Sequence, residues 1–532
     1  MNGLDKEITD ISKEVEPLSV CMKISMILFA AVMMIFIGCS STSNSGNPVP
    51  SPNNIPPSLE CVAQVLSQNL ERDGFETRRG YFYQFRVEDC QYTISIMGNC
   101  FGNNPVAPYI TYAVPAWPEE YVDPSLVNLL GPTTAGFNSV FRFDPREAVI
   151  ILAQLPPPAA YFGLQTYEFT REGTINTTDN IYLWLGLQSL LMQKLFFDYA
   201  PDPSRIRIFA SIGNANNNVV VERQSGASFG QERYFITTPD QFMARTMTQY
   251  LRDAGVSDTR QIFLEPVPST LTVGLEKSAY DFLFFMRYAM PQNKTDADLW
   301  RADLPMVILR VRDKNTSRQP EPYPGPALEP RLAIDERYMQ SDLNKLADAL
   351  KNHWKQPGAV NLTTFDAQSS VDMVGPHCED RGMNCQGDAQ DTAYIGSFQG
   401  SLDNGEVYAV MGTMGTITGN ATYVNVSIYE SVQFYGVVSL DHTQLEGSAG
   451  QFCASADCTG INNIDKFYLF YLTRDCKSLG LSSCFSIGPD KIPSGKQFKI
   501  IQRTYIMPST QRGPDSTKLI LPMMFQLDGN KK

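Results

Sequence analysis

Apolar positions along the chain change period several times, and each change predicts an element. Val62, Val65, Leu66 and Leu70 recur at helical spacing. Residues 81–87 alternate as a half-buried strand does, and residues 91–97, bracketed by Cys90 and Cys100, read as a second strand. Residues 148–153 are a continuous apolar run and residues 161–169 a second, aromatic strand, and such runs suit strands buried on both faces. Residues 181–197 read as a helix. Residues 205–212, 219–222 and 234–237 read as strands. Thr238-Pro239-Asp240-Gln241 then opens a helix with Thr as N-cap, its apolar face made by Met243, Met247, Tyr250 and Leu251 and its end by Gly255. Residues 261–264 return as a strand. That βαβ order predicts some parallel pairing.

Residues 277–290 read as a helix stopped by Pro291, and residues 306–311 as a strand. The proline-rich stretch 319–330 marks a candidate domain boundary. Met339, Leu343, Leu346, Leu350 and Trp354 share one helical face beyond it, and from about residue 390 the pattern is almost all strand. The expected fold is mixed α/β, that is α+β: a mixed sheet with packed helices over 59–330, then a β-rich, disulfide-stapled part over 331–532 with one amphipathic helix. No internal repeat is legible.

Length and composition narrow the class. The 532 residues allow two or three packing units, and 43% hydrophobic with 19% charged residues describes a folded chain rather than a disordered one. The net charge of -13 comes with no basic cluster, which excludes a nucleic-acid surface as partner. There is no P-loop, no glycine-rich dinucleotide fingerprint at a strand-to-helix turn and no H-E-x-x-H, so no cofactor and no metal is expected.

The N-terminal residues read as an address. Residues 26–37 are an unbroken apolar run after Lys23, too short for the roughly 20 residues a bilayer span needs but right for a secretory signal. Phe36-Ile37-Gly38-Cys39 resembles the lipobox of bacterial lipoproteins, with Phe36 where leucine is commonest. The resemblance implies cleavage before Cys39, lipidation of that cysteine and, with Ser40 following, sorting to the outer membrane. Residues 1–39 are then signal and lipobox, and Met22-Lys23 reads as the better start. Residues 40–58 are a Ser, Asn and Pro tether, and the membrane is a partner through the lipid.

Eleven cysteines without a single C-x-x-C point to disulfides outside the cytosol. Three close pairs stand out: Cys378 with Cys385, Cys453 with Cys458, and Cys476 with Cys484. Cys61, Cys90 and Cys100 allow one bridge among themselves and leave one thiol over. Three histidines limit any imidazole chemistry to His353, His377 or His442. The stretch from His377 to Gly450 holds two of them near Asp388, Asp391, Asp441 and Ser448, which makes His442 the candidate base, the three aspartates its candidate acidic partners and Ser448 a candidate hydroxyl. A G-x-S-x-G string at Gly226 to Gly230 sits between strand-like segments, and a glycine-rich hairpin loop around Ser228 is the better reading.

Several strings, Gly98 to Pro105, Pro156 to Phe162, Cys385 to Tyr394 and Thr418-Gly419 with Ala421-Thr422-Tyr423, are similar to an uncharacterised group of secreted and envelope proteins. That resemblance implies no activity. The group's pattern has Asn-His three residues before the Thr-Gly, where this chain has Met414-Gly415. Two functions stay open: an envelope hydrolase acting on an ester, amide or glycan bond, or a non-catalytic envelope module whose aromatic residues, 11% of the chain, bind a glycan, lipid or protein.

Overall fold

The computed structural model describes residues 55–175, 196–326, 328–359, 361–362, 364–366 and 376–529. Its N-terminal half runs α1 (Pro57–Arg72), β1 (Phe75–Arg79), β2 (Tyr81–Phe85), α2 (Cys90–Met97), β3 (Tyr109–Pro115), β4 (Phe137–Asn138), β5 (Glu147–Gln154), β6 (Ala159–Glu172), β7 (Arg205–Ser211), β8 (Asn216–Asn217), α3 (Asn218–Ser225), β9 (Glu232–Thr238), α4 (Gln241–Asp253), β10 (Ile262–Pro266), β11 (Asp281–Pro291), α5 (Lys294–Asp303) and β12 (Met306–Asp313). The first sheet has the order β1-β12-β5-β9-β10, with only β9 and β10 parallel. The second has β2-β3-β11-β6-β7, antiparallel throughout. α1 and α4 cover one face of the first sheet, where Leu66 and Met247 meet Ile150 and Leu309. Its other face packs on the second sheet, where Ile151 and Ile308 meet Tyr112 and Phe284.

The C-terminal half runs α6 (Gln340–His353), β13 (Asn361–Leu362), β14 (Thr364–Asp366), β15 (Thr392–Ser401), β16 (Glu406–Thr413), β17 (Tyr423–Glu430), β18 (Gly436–Asp441), β19 (Phe467–Thr473), β20 (Cys484–Ser486), β21 (Gln497–Tyr505) and β22 (Met523–Asp528). The third sheet is β13-β22-β16-β19-β20, again with its last pair alone parallel, and the fourth is β14-β15-β21-β17-β18. α6 covers the third sheet through Leu346, Leu350 and Trp354. The two sheets meet through Val410, Phe470, Val426 and Ile500.

The two halves therefore have one topology. With the two-residue strands β4 and β8 set aside, the strands of the first half map in chain order onto those of the second, and every neighbour, parallel or antiparallel, is reproduced. Register is kept as well. Tyr161 pairs with Ala289 and Gly163 with Arg287; Tyr423 pairs with Tyr505 and Asn425 with Arg503. The chain is an internal duplication of a helix-sheet-sheet unit, which corrects the expectation of no repeat.

The βαβ unit and α6 are present where periodicity places them, although Asp240 rather than Thr238 caps α4, its carboxylate accepting from Phe242 N. Three elements differ from expectation. Residues 91–97 are helical because Thr93 and Met97 bury one face of α2 and a Cys90–Cys100 bridge fixes its start. Residues 219–222 are helical because the Asn217 side chain accepts from Val219 N and Val220 N, overriding three valines. Residues 281–291 form the central strand β11, buried on both faces, where an apolar run carries no period to distinguish strand from helix. The helix expected over 181–197 falls largely outside the described residues.

Bridges join Cys90 to Cys100, Cys378 to Cys385, Cys453 to Cys458 and Cys476 to Cys484. Cys61, in α1, takes part in none of these four bridges. Among those residues no helix is long and apolar enough to cross a membrane.

Candidate functional site

The duplication decides how the His377 to Gly450 stretch must be read. Asn99-Cys100-Phe101-Gly102-Asn103 and Asn384-Cys385-Gln386-Gly387-Asp388 stand at the same interval as Tyr109-Ile110 and Tyr394-Ile395, so each half carries the loop once. In both loops the asparagine side chain accepts from the main chain two residues on, Phe101 N at 3.1 Å and Gln386 N at 3.0 Å. The next two residues take positive φ, 54° and 64° in the first loop, 59° and 66° in the second. Each cysteine is the one bridged to the helix before it.

Each loop docks on the other half. Cys100 N and Gly102 N donate to Gln433 O and Phe434 O, while Cys385 N and Gly387 N donate to Ile208 O and Phe209 O. Glycine is required at both contacts, since a Cβ on Gly102 would stand 2.7 Å from the Phe434 ring and one on Gly387 2.6 Å from the Phe209 ring. Behind the loops lie two buried arginines. Arg287 sits over Tyr109 and Tyr167 and donates to Gly387 O; Arg503 sits over Tyr394 and Tyr429 and donates to Gly102 O. A stack of Tyr161, Tyr423 and Tyr505, with centroids 4.6 to 6.2 Å apart, closes the junction.

The sequence candidates fall into this frame. Asp388 Oδ1 accepts from Ser211 N at 2.8 Å and Oδ2 from Ser211 Oγ at 2.6 Å. Asp391 Oδ2 accepts from Tyr161 Oη at 3.1 Å and Asn217 Nδ2 at 3.2 Å; burial raises its carboxyl above the ordinary aspartate range. Both carboxylates thus tie one half to the other. Asp441 caps the turn His442–Leu445, accepting from Thr443 N and Thr443 Oγ1, and so does not orient the imidazole that follows it. His442 is half-buried with its ring 6.1 Å from that of Tyr423. Burial lowers its pKa, and Nδ1 makes no hydrogen bond among the described residues. Ser448 Oγ donates to Leu445 O and accepts from Leu469 N, holding the helical turn Ser448–Cys453 onto the third sheet. The stretch contains all five candidates but does not converge them on one reacting atom. His377 lies in the turn Pro376–Asp380 with its side chain outside the described residues, His353 packs on Phe452, and Ser228 lies in a helix-to-strand loop.

The residue that sequence reasoning passed over is Glu168. It lies on β6 of the N-terminal half, near Arg171 and near Glu379 of the C-terminal half. The available signal was the repeat of Tyr-x5-Tyr-Glu at Tyr161 to Glu168 and Tyr423 to Glu430.

No protein-family model and no curated protein matches the chain. Solved structures similar to it include two bacterial proteins. An uncharacterised protein from Burkholderia cenocepacia is 10% identical and aligns over 89% of this chain and 88% of its own, with a TM-score of 0.35. The VPA0106 protein from Vibrio parahaemolyticus is 9% identical over 88% of this chain and 100% of its own, with a TM-score of 0.34.

Proposed function

We propose that the chain is an extracytoplasmic binding module, carried on an outer-membrane lipid anchor at Cys39 and displayed through the tether of residues 40–58. The observation behind the non-catalytic reading is the commitment of Asp388, Asp391, Asp441 and Ser448 to main-chain and junction partners, leaving His442 without an acidic orienter or a hydroxyl to activate. Disulfides in both halves support an oxidising compartment.

One observation favours the hydrolase instead. An imidazole kept neutral by burial, with Nδ1 unoccupied, is the form a general base takes. A hydrolysis screen on esters, peptides and glycans decides between the two. The module reading expects no turnover by wild type, whereas turnover that disappears in His442→Ala contradicts it. Labelled fatty acid fed to expressing bacteria tests the anchor: incorporation is expected in wild type and absent in Cys39→Ala.

A further inference from the structure

Glu168 is 1% exposed on β6, and neither of its carboxyl oxygens accepts a hydrogen bond among the described residues. The recess that it lines with Ser211, Thr270 and Glu379 has an accessible volume of about 10 Å³, room for one water and for no ligand group. Arg171 stands 3.7 Å from Glu168 Oε1 but gives its hydrogen bonds to Glu379, Nη1 to Oε1 at 2.7 Å and Nη2 to the main-chain oxygen at 2.8 Å. An ionised Glu168 would draw that guanidinium onto itself. A guanidinium that stands off, on a carboxylate of the other half, is the geometry of a neutral Glu168 beside an ionised Glu379.

The duplication supplies an internal control. Glu430 ends the same Tyr-x5-Tyr-Glu string on β17 and pairs with Phe498 as Glu168 pairs with Phe282. Its Oε2 accepts from Val432 N and Gln433 N, main-chain donors of its own half. The fold therefore does not oblige this position to stand bare.

What Arg171 holds is part of the junction. Glu379 belongs to the turn Pro376–Asp380, whose Cys378 is bridged to Cys385, and Cys385 N and Gly387 N donate to Ile208 O and Phe209 O on β7. Arg171 thus ties β6 to the turn from which the C-terminal junction loop departs. The other charged groups around the trio offer Glu168 no second cation among the described residues. Arg205 on β7 is committed to Asp281 and to main-chain oxygens, Asp281 on β11 is also faced by Arg142, Asp380 adds like charge beside Glu379, and the Tyr280 ring lies 5.5 Å from the Arg171 guanidinium.

We infer that Arg171 is a proton-governed latch between the two halves: while Glu168 is protonated the guanidinium is held on Glu379, and when Glu168 ionises the guanidinium is drawn off, loosening the turn Pro376–Asp380 and the bridge behind it. Burial, with Glu379 adding like charge, pushes the Glu168 carboxyl up to about 8 against the pull of Arg171. The latch is therefore closed at neutral pH and opens as pH rises through that value. It does not depend on whether the chain binds or hydrolyses.

The test is the rate at which a water-soluble phosphine reduces each junction bridge of the whole chain, read by differential alkylation and peptide mass mapping, with Cys90–Cys100 as the internal reference. In wild type the Cys378–Cys385 rate, divided by the reference rate, is expected to rise about tenfold between pH 6.5 and pH 9.5. Glu168→Gln, an amide of the same shape that cannot ionise, keeps the ratio at its low value throughout. Arg171→Met, with the latch removed, shows the high ratio at both pH values. A wild-type ratio that does not change with pH, a Glu168→Gln ratio that climbs as wild type does, or an Arg171→Met ratio that stays low overturns the inference. Should Arg171→Met not fold, the comparison of Glu168→Gln with wild type decides alone.

Discussion

Asn103 and Asp388 occupy the same position in the two halves and perform the same act: Asn103 Oδ1 accepts from Gly436 N at 2.9 Å, and Asp388 Oδ1 accepts from Ser211 N at 2.8 Å. An amide suffices at one and a carboxylate stands at the other, so the shared requirement is an acceptor for a buried main-chain donor of the opposite half. That requirement is structural.

The glycine after each junction cysteine should be the least replaceable residue of its loop. Gly102→Ala and Gly387→Ala each place a Cβ against a phenylalanine ring at positive φ and should lower unfolding free energy by roughly 2–3 kcal/mol. Gly213→Ala, where nothing stands within 4 Å of the added carbon, serves as control and should shift it by well under 1 kcal/mol. Urea denaturation of the three variants measures this. Equal stability of all three would refute the requirement.

Arg310 is fully buried on β12, between Glu120 at 2.7 Å and Glu147 at 2.5 Å. Arg310→Met should cost about 3–5 kcal/mol, because it strands two buried carboxylates. Adding Glu147→Gln and Glu120→Gln should recover part of that loss. A single variant as stable as the triple would show that the pairing does not govern the site.

Stability should fall with pH around Glu168. Its folded pKa lies near 8 against an ordinary 4.5, so the native state holds the proton more tightly than the unfolded chain does. The contribution is fully present below pH 4.5 and is lost as pH rises through about 8. Wild type should lose up to roughly 4 kcal/mol against Glu168→Gln between pH 4.5 and 8.5. Thermal melts at four pH values follow the difference, and a constant difference would place the proton elsewhere.

The parts of this fold that were legible from sequence were those whose period or spacing is local. α4 showed its apolar face, and three disulfides closed short loops between near cysteines. β11 was misread because a strand buried on both faces has no polar phase, and α2 because its isoleucines also suit a strand. The duplication went unseen because the halves share little more than Asn-Cys-x-Gly, Tyr-Ile, Tyr-x5-Tyr-Glu and one arginine. What the copies have in common is carried by main-chain pairing, which many sequences satisfy. The partners of the candidate site residues were hidden for the same reason. Asp388 and Asp391 look like chemistry beside a histidine, and only the fold reveals that Ser211, Asn217 and Tyr161 of the other half are their partners.

The claim that the acidic residues of the His377 to Gly450 stretch are the junction of a duplicated scaffold is tested most directly by urea denaturation of wild type, Asp388→Ala, Asp388→Asn and Asn103→Ala. Both alanine variants should lose about 1–3 kcal/mol, each exposing an unpaired buried donor, while Asp388→Asn stays within about 1 kcal/mol of wild type. Wild-type stability in Asp388→Ala, together with loss of a measured activity in both Asp388 variants, would contradict the account.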